Sequence, residues 1–175
     1  QVTGKKEFAE FANDLLQYID RDMTSDEGAF FSAEDADSEG VEGKFYVWTQ
    51  EEVEKILGRK TASVAIPYYN ITPSGNFEGK NILNVTQGPE AIAKKVGMQE
   101  ADALTELETA RDKLLEVRSQ RIRPLLDDKV LTSWNALMIS AMAKTGRVLD
   151  DADRIEKSAR AMEFILTRLR TPEGK

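Results

Sequence analysis

The sequence predicts a mainly α fold of antiparallel helical hairpins with short β excursions. Two observations carry this. Apolar residues recur at helical spacing in successive segments, and short polar breaks separate them, as in helices that fold back on their neighbours. Strand-like runs are confined to two short stretches, at residues 44–49 and 81–85.

Residues 5–23 place Phe8, Phe11, Leu15, Tyr18 and Ile19 on one helical face, and such an aromatic stripe is expected to be core. Residues 24–49 lose that period: Gly28, Gly40 and Gly43 punctuate a stretch rich in Asp, Glu and Ser. Lys44 to Thr49 has the aromatic and β-branched content of a strand. Thr49 then reads as an N-cap, with Glu52 completing a capping box and Gly58 stopping the helix. A second short helix is expected over 61–69. Pro73, Gly75 and Gly79 mark a long loop, followed by a short strand from Asn81 to Val85. Pro89 suits the first turn of a helix that runs to Gly97.

Leu104, Leu107, Ala110, Leu114 and Val117 outline a long helix ended by Pro124. Trp134, Leu137, Met138, Ala141 and Val148 carry the next, and Ile155, Met162, Ile165, Leu166 and Leu169 the last, ended by Pro172 and Gly174. No internal repeat is visible, which argues against a solenoid. The whole of 1–175 is expected to form one helical domain.

The chain has 175 residues, 41% hydrophobic and 31% charged, with a net charge of −7. That acidity disfavours nucleic acid, whose phosphates it repels. Arg118, Arg121 and Arg123 gather locally, as suits a solvated helix C-terminus. No apolar run approaches the roughly 20 residues that span a bilayer, and no N-terminal run reads as a signal peptide. A cytoplasmic protein without membrane contact is the expectation. There is no Cys and no His. This removes disulfides, Cys-based zinc sites, thiol chemistry, a Ser-His-Asp triad and any His base. Chemistry here must rest on Asp, Glu, Lys, Arg and Tyr.

Two clusters stand out. Ser32 to Gly40 contains Glu34, Asp35, Asp37 and Glu39. Asp35, Asp37, Glu39 and Gly40 resemble the start of a calcium loop, but the twelfth position, where a bidentate acid belongs, is Tyr46. An EF-hand therefore fails, and a different cation site at the acidic loop stays open as an alternative. Phe30 and Phe31 precede the cluster, and Phe45, Tyr46 and Trp48 follow it. Acids beside aromatics also suit sugar handling, with carboxylates for hydroxyls or acid/base work and rings for sugar faces. The second cluster runs from Arg121 through Asp127, Asp128 and Lys129 to Trp134 and Asn135. One of the two aspartates is expected to N-cap the helix that follows. The string Gly75-Asn76-Phe77-Glu78-Gly79-Lys80-Asn81 is one residue too short for a P-loop and has Asn in place of its Ser or Thr.

Three strings together resemble one widespread family: Arg21–Thr24 with Phe30–Ser38 and Glu42–Trp48, then Gly75–Leu83, then Asp127–Asn135. This is the thioredoxin-domain-containing family that includes spermatogenesis-associated protein 20 and its bacterial and archaeal relatives. The resemblance spans nearly the whole chain. It implies a fragment of a helical region similar to the six-hairpin (α/α)6 toroids of glycosidases and sugar epimerases, with the family's thioredoxin-like domain absent from these residues. Family members often carry His between Pro124 and the acid pair, where Leu125 and Leu126 stand here, and Gly where Ala29 and Ala136 stand.

The resulting expectation is part of a carbohydrate-active toroid, an epimerase, isomerase or hydrolase when full length, with the isolated segment inactive. Asp35, Asp37, Asp127 and Asp128 are the candidate catalytic carboxylates. Tyr46, Trp48 and Trp134 are candidate stacking groups, with Arg123, Lys129 and Asn135 as further substrate contacts. No metal and no cofactor are expected. The expected partners are a carbohydrate or other small molecule, a thioredoxin-like domain in the parent chain and, through helix faces lacking their neighbouring hairpins, further copies of the chain. The alternative is a non-catalytic interaction scaffold attached to a redox module.

Overall fold

The computed structural model describes residues 4–171, 173 and 174; Pro172 lies outside them. It is mainly helical, with 59% of residues in helix and six α-helices among the described residues. These are α1 (Lys6–Asp22), α2 (Gln50–Tyr68), α3 (Pro89–Val96), α4 (Glu100–Ser119), α5 (Thr132–Leu149) and α6 (Ala152–Phe164), the last continuing as a π-helical turn, Ile165–Leu169. The strands are two residues each: β1 (Ala33–Glu34), β2 (Asp37–Ser38), β3 (Val41–Glu42) and β4 (Leu126–Asp127). They pair antiparallel as β1–β4 and β2–β3. Among the described residues no helix is long and apolar enough to cross a membrane.

Where the sequence predicts one domain, the chain divides into two compact units. One comprises Gln1–Asp35 and Leu126–Lys175; the other is Ala36–Leu125.

In the first unit, Leu16 of α1, Phe30, Ile139 and Met142 of α5, and Ala161 of α6 form the core. The helices fall where their periodicity places them, but only part of each apolar face is buried. α5 buries Asn135, Ile139, Met142 and Gly146, while Trp134, Leu137 and Val148 are exposed. α6 buries Arg154, Ser158 and Ala161, while Ile155 and Met162 face solvent. α1 buries Leu16 and packs Ile19 against the core, leaving Phe8, Phe11 and Leu15 exposed, so only the C-terminal end of the expected stripe reaches the core.

The physical reason is that the contacts made by α5 and α6 are partly polar and small. Arg154 donates to Asn13 at 2.7 Å and pairs with Asp151 at 3.1 Å. Lys157 bridges Asp20 on α1 and Asp153. Gly146 lets the start of α6 approach, since a Cβ there would lie 2.9 Å from the Asp151 carbonyl. Asp150, in the left-handed region at φ 57°, ends α5, and Asp151 caps α6 by accepting from the Arg154 N–H.

In the second unit α2, α3 and α4 pack together. Trp48, Val53, Leu57, Ala65, Ile71, Ala110 and Leu114 fill one core; Val64, Ile92, Ala93, Ala103 and Leu107 fill another. Thr49 caps α2 as expected, its hydroxyl accepting from the Glu52 N–H at 3.1 Å. Gly58, at φ 73° and ψ 168°, breaks the path, so α2 is two helices joined at a kink. Pro89 opens α3 and Gly97 closes it in the left-handed conformation. α4 ends at Ser119, before Pro124 is reached. The two predicted strands are not formed. Lys44–Tyr46 is a turn, and Trp48 and Asn81 meet in a single antiparallel bridge.

One buried acid joins α2 to α4. Glu106 accepts from Thr61 Oγ1 at 2.6 Å and pairs with Lys60 at 2.6 Å. These contacts, that with Lys60 first, lower its pKa. A carboxyl with a depressed folded pKa stabilises the fold above its unfolded value of about 4.3, and that contribution is lost as pH falls through the folded value. Thr61→Val is therefore expected to cost on the order of 1–2 kcal/mol at pH 7 and clearly less in acid below the folded value, where Glu106 is protonated. Urea unfolding of both proteins at the two pH values measures the difference.

Candidate functional site

The site is built on two loops that approach one another in the first unit. Phe30 begins the approach. Its N–H donates to Asn135 Oδ1 at 2.8 Å, and its carbonyl accepts from Asn135 Nδ2 at 2.9 Å. A third bond runs from Asn135 Nδ2 to the Leu131 carbonyl, at 3.1 Å. The carboxamide thus serves as a strand partner for one residue, and at 1% exposure it has no surface left for a ligand. Asn135, a candidate substrate contact, is a structural clamp.

Two residues further on, Ser32 donates from both its N–H and its hydroxyl to the Asp127 carbonyl, at 3.2 and 3.0 Å. β1 and β4 then pair, with Ala33 opposite Asp127 and Glu34 opposite Leu126. This register joins the leading end of the acidic loop to the Asp-Asp-Lys cluster. Glu34 accepts from Tyr18 Oη at 3.1 Å. Asp127 pairs with Lys129 Nζ at 2.9 Å and accepts from the Lys129 N–H at 3.4 Å. Asp35 and Asp128 are exposed.

Trp134 stands in the first turn of α5 with 55% of its surface exposed, so a ring face is open to a ligand. Neither Asp127 nor Asp128 caps α5, as was expected of one of them: the N-cap is Leu131, without a side-chain bond. Asp127 is instead committed to Lys129.

The remaining candidates belong to the second unit. Asp37 pairs with Glu42 in the β2–β3 hairpin, and Glu39 pairs with Lys44 at 2.7 Å. Trp48 is 2% exposed, and the guanidinium of Arg121 lies 3.8 Å from its ring centre. Its rings are core, with no free face. Tyr46 is half-buried, edge-on to Phe45 with Arg118 over its ring, and Arg123 lies over Phe45. The arginines expected to be solvated at a helix end are thus an aromatic clamp.

Arg121 is the residue the sequence reading undervalued. It donates to the carbonyls of Phe45 and Val47 at 3.0 and 2.9 Å and to Glu52 at 2.7 Å. The signal was present as three aromatics before α2 and three arginines, Arg118, Arg121 and Arg123, at and just after the end of α4. Beside it lies a cavity of about 390 Å³ bordered by Glu39, Lys44, Glu52 and Lys80. Among the described residues no three acids gather as a metal-binding set; the acidic loop spends its residues on two separate ribbons.

The glycine-lysine string is also structural. Gly75 sits at φ 70° against the Lys80 carbonyl, and Asn76 exchanges two bonds with the Ile82 backbone. Asn81, 1% exposed, bonds both backbone groups of Thr72 and the Trp48 carbonyl.

Two outcomes follow. The Lys129 ammonium, bonded to Asp127, is the leading cause that holds that carboxyl below its usual range. An NMR titration is expected to place the Asp127 midpoint below about 3.9 and to move it upward in Lys129→Ala. Asn135→Ala leaves the Phe30 N–H and carbonyl unpaired, at a cost on the order of 2–4 kcal/mol, measurable as a lower urea midpoint.

No protein-family model matches the chain. It is similar to spermatogenesis-associated protein 20 of Homo sapiens, 32% identical over 94% of this chain and 24% of that protein. The Mus musculus protein of the same name is 30% identical over the same shares. An uncharacterized protein of Caenorhabditis elegans is 30% identical over 87% of this chain and 24% of its own length. The chain therefore spans about a quarter of the length of the curated relatives it matches.

Proposed function

We propose that this chain is the carbohydrate-handling part of a larger helical ring of the (α/α)6 type, attached in the parent polypeptide to a thioredoxin-like domain. The β1–β4 pairing carries the reading. It joins the acidic loop to the Asp127 cluster, from loops some ninety residues apart, and so holds Asp127 shortly before the exposed ring of Trp134. Carboxylates that accept from sugar hydroxyls, beside an indole that covers the apolar face of a pyranose, are the chemistry of sugar recognition.

The division of labour follows from charge. Asp127, held ionised by Lys129, suits hydroxyl binding and does not suit the donation of a proton to a leaving group near pH 7. The epimerase, isomerase or hydrolase activity of the longer polypeptide then needs an acid supplied from elsewhere in it, and these 175 residues bind without turnover.

Saturation-transfer NMR with D-glucose, D-mannose and N-acetyl-D-glucosamine tests the reading. At least one sugar is expected to receive saturation, with the signal reduced several-fold in Asp127→Asn and in Trp134→Ala, and no sugar is converted. Absence of transfer to all three, or transfer that Trp134→Ala leaves unchanged, overturns it.

A further inference from the structure

The second unit holds two Gly-Lys strings, Glu42-Gly43-Lys44 and Glu78-Gly79-Lys80. Neither is a P-loop, but the fold gives their lysines a common setting. Each string adjoins a tight hairpin turn. Ser38 and Val41 pair across Glu39 and Gly40, at φ 54° and 72°. Phe77 and Lys80 pair across Glu78 and Gly79, at φ 47° and 76°. Both turns have the left-handed pair of residues that a two-residue type I′ hairpin requires. The two segments are neighbours, since a Cβ on Gly43 would lie 3.4 Å from the Phe77 ring. Lys44 and Lys80, far apart in sequence, border one cavity of about 390 Å³, and Arg121, just past α4, borders it too.

Charge in that cavity does not cancel. Glu39 is paired with Lys44 and Glu52 with Arg121, each at 2.7 Å. Arg121 is further committed to the carbonyls of Phe45 and Val47. Lys80 is exposed, and its ammonium has no partner among the described residues. One positive charge is thus left over in a chain of net charge −7. Two neutral polar groups also line the cavity: the Ser38 hydroxyl, which donates to the Ile122 carbonyl at 2.5 Å, and the Gln120 carboxamide. Buried Phe45 and Val47 supply the apolar part of the lining.

The nature of the occupant follows from that lining. Packing another stretch of polypeptide onto this surface would take Glu39, Lys44, Glu52 and Lys80 out of water, which is costly. A small hydrophilic molecule leaves them hydrated, and the volume lies within the roughly 300–1,000 Å³ of ligand pockets. The single unbalanced ammonium matches a single negative charge. A second negative charge on the ligand would face Glu39 and Glu52 at short range, where repulsion is strong. We propose that this cavity binds a small hydroxylated monocarboxylate of the sugar-acid class, with the carboxylate on Lys80 and hydroxyls on Ser38 and Gln120. All the residues that form the site belong to the second unit, and none is shared with Asp127 and Trp134.

An NMR titration of the 15N-labelled 175-residue chain with D-gluconate, D-glucose and D-glucose 6-phosphate is the test. D-Gluconate is expected to shift the Lys80 and Gln120 amide signals saturably, at least tenfold more tightly than either of the other two, and to weaken as salt is raised. Lys80→Met is expected to weaken D-gluconate at least tenfold with helicity by circular dichroism unchanged, because the turn is held by the backbone of Lys80. Glu39→Gln, which removes an acid and releases Lys44, is expected to tighten it several-fold. Trp134→Ala is expected to leave it unchanged, which separates this site from sugar binding in the first unit.

Absence of a saturable shift, or binding of D-glucose or D-glucose 6-phosphate as tight as that of D-gluconate, overturns the proposal. So does indifference to Lys80→Met, failure of Glu39→Gln to tighten binding, or loss of binding in Trp134→Ala.

Discussion

The first unit depends on one carboxamide. Asn135 pairs with both backbone groups of Phe30 across 105 positions of sequence, and the contact is buried, where an unpaired N–H or carbonyl is costly. It fixes how the chain leaves the turn at Ser25–Ala29 and where Ser32 begins. Ser32 then finds the Asp127 carbonyl, and the two-residue pairing of β1 with β4 follows. A ribbon that short supplies too few hydrogen bonds to hold itself in water. Its register is set from one end by Asn135, and the carboxylates of Glu34 and Asp127 take their positions from that register.

The second unit uses the same device with different residues. Asn81 bonds Thr72 on both backbone groups and reaches the Trp48 carbonyl as well. Asn76 does the same for Ile82 at the surface. Arg121 extends the logic: its guanidinium satisfies two carbonyls of the Phe45–Val47 turn, which has no strand partner there, while its plane lies over Trp48. The planar fork of Arg suits this double task, and a Lys in its place would supply a point charge without the stacking. The turn is therefore closed by a side chain, which is why its aromatic sequence does not become a strand.

The sequence makes the helices, their caps and their stops readable, because these obey local rules: Thr49, Gly58, Pro89 and Gly97 act where their chemistry places them. It misleads on phase. In α5 and α6 Asn135, Gly146, Arg154 and Ser158 take inward positions that hydropathy assigns to solvent, so that only part of each apolar stripe, Met138 and Ile165, packs against the core while Leu137, Ile155 and Met162 lie outward. The site is legible in part. Proximity of the acidic loop to Asp127 depends on a pairing over ninety residues that no local pattern encodes. The roles of Trp48 and Asn135 are inverted by burial, since a ring or amide that looks available in sequence is already spent in the fold.

That phase error has a physical content of its own. A helix with a wide apolar face can bury only part of it against a given neighbour, and in the first unit polar and small residues occupy some of the inward positions. Leu16, Phe30, Ile139, Met142 and Ala161 make a small core, supplemented by the Arg154–Asn13 and Lys157–Asp20 contacts. Polar contacts of this kind discriminate strongly among arrangements and add little net free energy. Phe8, Phe11 and Leu137, each more than half exposed, add little to this unit's burial and cost it solubility. At roughly 25 cal/mol per Å² of apolar surface, the outward stripes hold a reserve of stabilisation that only contacts beyond the unit can draw on.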